Sequence, residues 1–160
     1  MRSGIVVLAV TLAACGAGSG EGLDENGVPF GQASASGCAI PATPPSTPPP
    51  QGAPLVPTLA SIQANVFSVD CAASGCHGGA ASQQGLRLDP GFSFGNLVCV
   101  RVPRDPTQTR VLPGDPNNSF LIRKLEGTQT VGARMPDGGP YLQQSTIDVI
   151  RQWIANGAPQ

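Results

Sequence analysis

Residues 66–80 read VFSVDCAASGCHGGA. The stretch holds Cys71 and Cys76 and, immediately after them, His77, the only histidine in the chain. In a regular α-helix each residue turns the chain by about 100°, so cysteines five apart point about 140° away from each other. No regular helix presents both on one face, so the chain must leave helical geometry between them. The intervening Ala72-Ala73-Ser74-Gly75 are all small, and the glycine is free to take positive φ. A bulged loop is therefore expected between the cysteines.

Three chemistries use two thiols beside an imidazole. Covalent haem attachment is usually written C-x-x-C-H, against C-x-x-x-x-C-H here. It needs one thiol for each of two vinyl groups and an imidazole to reach the iron. A Cys71–Cys76 disulfide closing a four-residue gap is the second option. A zinc site of two thiolates and one imidazole is the third, but it would lack a fourth protein ligand, and Asp70 is the only acid close by in sequence.

The chain starts MRSGIVVLAVTLAAC. Arg2 and the apolar run Ile5 to Ala14 are too short to span a bilayer and fit an export signal over residues 1–14. Leu12-Ala13-Ala14-Cys15 resembles the lipobox of bacterial lipoproteins, and this implies lipidation of Cys15. The mature chain is then expected in the cell envelope, lipid-anchored to the outer rather than the inner membrane. It would face the periplasm or the cell surface, where disulfides persist. Residues 15–57 read as a tether, first Gly/Ser-rich and acidic and then PATPPSTPPPQGAPLVP, with eight prolines in seventeen residues. As polyproline II that run reaches roughly 50 Å.

Residues 58–160 form one domain with eight basic and seven acidic side chains. That balance gives no basic stripe, and nucleic acid is not expected as a partner. Thr58 can cap a helix running to about Val69, with Leu59, Ile62, Val66 and Val69 on one face. Residues 71–118 show no persistent strand pattern and read mostly as loop. A second helix covers SFLIRKLE and ends at Gly127, with Leu121, Ile122 and Leu125 as its apolar face. The last helix is capped by Ser145, carries Ile147, Ile150, Trp153 and Ile154, and stops at Asn156-Gly157. The expected fold is mainly α: a small domain of about three short helices with long Gly/Pro-rich loops. Such a domain needs a staple, whether disulfide, metal or haem.

Apart from the initiator, the chain has one methionine, Met135, in the Gly/Pro-flanked stretch GARMPDGG. Taken together, IQANVFSVDCAASGCHGG, GLRLDP, PGDPNNSFLIRKLEG, ARMPDGGP and IRQWIANGA resemble bacterial c-type cytochrome domains of the planctomycete and myxobacterial kind. The likeness covers about residues 58–158. It implies one covalent haem c on Cys71 and Cys76, with His77 and Met135 as axial iron ligands. It also implies contact between the first and last helices near Val66, Phe67, Trp153 and Ile154. With Cys15 lipidated and Cys71 and Cys76 engaged, Cys38 and Cys99 remain as a disulfide pair. Arg110, Arg123 and Arg134 are candidate partners for haem propionates, and Pro113 a candidate for the proximal wall.

The expected function is a membrane-tethered monohaem cytochrome that passes single electrons between redox proteins of the envelope. It is a carrier and not an enzyme, because no catalytic base, nucleophile or substrate pocket can be named. The alternative is a haem-free, disulfide-stapled lipoprotein acting as a binding or structural module.

Overall fold

In a computed structural model the described residues are Cys38 and residues 53–160. The export signal and Cys15 lie outside the described residues, as does most of the tether. Helix α1 (Leu59–Ile62) starts at Thr58, whose hydroxyl accepts the Ser61 N–H. It runs directly into a π-helix over Gln63–Cys71. Then come a single 3₁₀ turn at Gln83–Gly85, helix α2 (Ser93–Leu97), and strands β1 (Arg101–Val102) and β2 (Asp105–Thr109). Helices α3 (Phe120–Glu126) and α4 (Gln144–Ala155) complete the order. Among the described residues no helix is long and apolar enough to cross a membrane.

The fold is mixed α/β, which corrects the expectation of a mainly α domain. Among the described residues helix accounts for 37% and strand for 12%, so the sheet cannot be set aside as a detail. β1 and β2 pair antiparallel, with Arg101 opposite Thr109 and Val102 opposite Asp105. Arg110 N–H donates to Val100 O at the end of this ladder, and beyond it Val98 and Val111 form an isolated parallel bridge in which Cys99 N–H donates to Val111 O. The pattern was hidden because β2 is polar and contains Pro106, which is tolerated only where its missing N–H faces away from a partner strand. Val100, Val102 and Val111 turn inward from this ladder and are buried.

The winding of the first helical segment differs too. Its α-helical spacing put Val69 on the buried face, yet Val69 is 67% exposed. Ala72 N–H donates to Phe67 O across five residues. In this wider register Phe67, not Val69, turns into the core. α4 begins at Gln144, one residue before the expected cap Ser145, and its N-cap Gln143 makes no side-chain bond. Its apolar face is as expected, with Ile147, Ile150, Trp153 and Ile154 fully buried. Trp153 also donates its indole N–H to Pro159 O. These residues share one core with Ile62, Val66, Phe67 and Leu97, and α3 packs on α4.

Cys38 is bonded to Cys99, with their Cα atoms 5.6 Å apart and a separation of 61 positions in sequence. A cross-link closing a loop of that length removes unfolded-state entropy worth about 4 kcal/mol. Replacing both cysteines by serine should lower the unfolding free energy by about that amount in urea titrations.

Candidate functional site

The helix that begins at Thr58 delivers Cys71 to the edge of the core, where the π-winding stops. The chain then makes a tight loop. Cys76 N–H donates to Ala73 O, His77 N–H to Cys71 O and Gly78 N–H to Ala73 O. Gly75 takes φ +84°, as the small insert allows. Gly78 is fixed more strongly: a Cβ there would lie 2.2 Å from Ala72 O. Gly78 does not stand out in sequence beyond its place directly after the histidine.

The stretch GLRLDP wraps His77. Leu88 N–H donates to His77 O at 2.7 Å, and Gln83 N–H donates to Cys76 O at 2.8 Å. His77 Nδ1 lies 3.1 Å from Leu86 O, so that nitrogen is the donor and Nε2 is left as the basic one. Burial holds the imidazole below its ordinary pKa, against the opposing pull of the Leu86 bond, so the neutral form prevails at neutral pH. Gly79 N–H and the Arg87 guanidinium both bind the Asp89 carboxylate and close the wrap from outside.

A cavity of about 690 Å³ lies against this loop. Cys71, Cys76, His77 and Met135 all line it. Val66, Phe67, Leu86, Leu88, Leu97, Leu121, Leu125 and Ile150 supply apolar wall. Cys71 and Cys76 are both free thiols and are not bonded to each other. Burial, with smaller contributions from Asp70 and Cys76, pushes the Cys71 thiol up to about 12. Among the described residues, no three His, Cys, Asp or Glu side chains are grouped so as to hold a metal ion.

Of the three arginines singled out from sequence, only Arg110 lines the cavity. It is 4% exposed and donates to the carbonyls of Gln84, Asn96 and Gly85. No carboxylate among the described residues pairs with it, and burial lowers its pKa to about 10. Arg123 instead binds Gln108 and Asn118, and Arg134 binds Leu125 O and stacks on Tyr141. Pro113 is not part of the wall, whereas Arg104 and Lys124 are. Neither of these two stands out in sequence, because a basic side chain beside a loop reads as solvated surface.

Comparison of the chain with protein-family models, with curated proteins and with solved structures finds no match.

Two outcomes are expected from this geometry. In the haem-free chain, iodoacetamide at pH 8 should modify exposed Cys76 more than tenfold faster than Cys71, since only the thiolate reacts; peptide mapping reads the ratio. Gly78→Ala should destabilise the chain by about 1–3 kcal/mol through overpacking against Ala72 O.

Proposed function

We propose that the chain is a membrane-tethered, monohaem c-type cytochrome that carries single electrons between redox partners in the cell envelope. The observation that carries this reading is the gathering of Cys71, Cys76, His77 and Met135 on one cavity. His77 is the only histidine and Met135 the only methionine after the initiator, so the chain's one imidazole and its one internal thioether meet at one place.

The donor set fits the group. A cavity of this volume lies within the range of enclosed cofactor sites. The neutral imidazole, with Nδ1 held on a backbone carbonyl, is the form and orientation that metal-binding histidines use. Met135 offers the softer thioether. Cys71 and Cys76 would hold the macrocycle at its periphery, which does not require thiols and imidazole to converge on a point. Arg110 places a buried positive charge without a carboxylate partner in the wall, which favours an anionic group such as a propionate. When bound, the iron porphyrin supplies one-electron exchange between ferrous and ferric states. The chain's own residues fix the ring, exclude water from its faces and bias the potential through charge and ligand type.

The unbonded thiols favour this reading over a stapled module built on a Cys71–Cys76 disulfide. Zinc is disfavoured by the absence of a converging ligand group among the described residues.

The test is an absorption spectrum with intact mass on the full chain, made in a host with active haem-ligation machinery, beside His77→Ala. A red protein whose added haem mass survives denaturation is expected, with the low-spin spectrum lost in His77→Ala. A colourless product of unshifted mass, both there and in a native host, would overturn the reading.

A further inference from the structure

The segment that carries Met135 is fastened at its start to β2, where the Thr130 hydroxyl meets Gln108 and Asp105, and around Met135 itself to the C-terminal turn of α3. The last carbonyls of a helix have no partner inside it and need outside donors. Gly127, in the left-handed region at φ +80°, ends α3, and its N–H and that of Thr128 take Arg123 O. The next carbonyl, Lys124 O, accepts Met135 N–H at 2.9 Å. The one after it, Leu125 O, accepts Arg134 Nε at 2.9 Å. The Lys124 side chain then reaches back over the same segment: its Nζ donates to Ala133 O, and to Val131 O at 3.4 Å. A side chain on Gly132 would press on that ammonium, its Cβ only 2.9 Å from Nζ. No carboxylate among the described residues pairs with Lys124. The ammonium lies 5.8 Å from the Phe120 ring centroid and feels the Asp137 carboxylate at longer range, but its hydrogen bonds go to backbone carbonyls of residues 131–133, a stretch joined to α3 through one main-chain bond at Met135.

We infer that Lys124 is a positioning residue for Met135, with its ammonium clamping residues 131–133 so that the adjacent thioether is held at the cavity wall. The inference rests on the proposed role of Met135 as distal ligand. It differs from that role in naming what holds the ligand: Lys124 lines the cavity itself, yet acts through the loop.

The test uses the full chain carrying haem, as wild type, Lys124→Met, Lys124→Arg and Met135→Ala. Lys124→Met keeps the apolar stem and removes the donors. Hydrogen exchange should show the Met135 amide, which donates to Lys124 O, losing about ten- to hundredfold of its protection in Lys124→Met, the scale of a charge-assisted hydrogen bond. Ile150, in the core of α4, should keep its protection. The far-red absorption of sulfur-bound ferric haem should weaken, and the reduction potential should fall toward that of Met135→Ala while haem mass stays at one per chain. Lys124→Arg should restore both readouts. Unchanged protection and spectrum in Lys124→Met would overturn the inference, as would loss of protection at Ile150 together with the loop, which would make Lys124 a residue of the fold at large. If Met135→Ala leaves the spectrum of the haem-bearing chain unaltered, Met135 is not the ligand; the reading beneath the inference then fails even where the exchange data show the clamp.

Discussion

The hydrogen bond from Ala72 N–H to Phe67 O, 2.7 Å across five residues, sets the terms for the site. By holding the end of the first helical segment in a wider winding than an α-helix, it turns Phe67 into the core and leaves Val69 outside. It also sets where the helix stops, at Cys71, with the thiol against the core and the next residue already in the loop. The four small residues that follow turn the chain back, so that Cys76 N–H reaches Ala73 O and His77 N–H reaches Cys71 O. Four residues between the cysteines are too many for a helical turn, and they are accommodated because the chain is no longer helical there.

Around this point the molecule is built from backbone groups acting as fixed dipoles. Leu86 O orients the imidazole, Lys124 O and Leu125 O hold the methionine segment, and the carbonyls of Gln84, Gly85 and Asn96 receive the Arg110 guanidinium. Such partners have no side-chain chemistry that a sequence can display. This is why His77 and Met135 stood out by their rarity, while Gly78, Leu86 and Lys124 did not stand out at all. Composition singles out the candidate ligands, and only the folded chain shows what would aim them.

The fold divides along a similar line. α4 could be read directly, because Ile147, Ile150 and Ile154 recur at helical spacing and all are buried. α3 was legible through its apolar face and the glycine that ends it. The sheet was not: β1 has two residues, and β2 has a proline and a mostly exposed polar surface, so neither shows the alternation that marks a half-buried strand. The π-winding was concealed for a different reason. Leu59, Ile62 and Val66 satisfy an α-helical pattern equally well, and a single misplaced valine further along is too little to tell the two windings apart.

The Cys38–Cys99 bond has a geometric consequence for the chain ahead of the domain. It ties residue 38 to the domain surface, so the proline-rich run over residues 41–57 lies inside a covalent ring that starts and ends on the same body. However extended that run is, it adds nothing to the distance between a lipid on Cys15 and the domain. On the proposed lipid anchor, only residues 16–37 would set that distance, and a random coil of that many residues has an end-to-end distance of about 25 Å. In the proposed cytochrome, a domain held so short would work in a thin layer next to its membrane, and an electron partner would have to come to that layer to meet it.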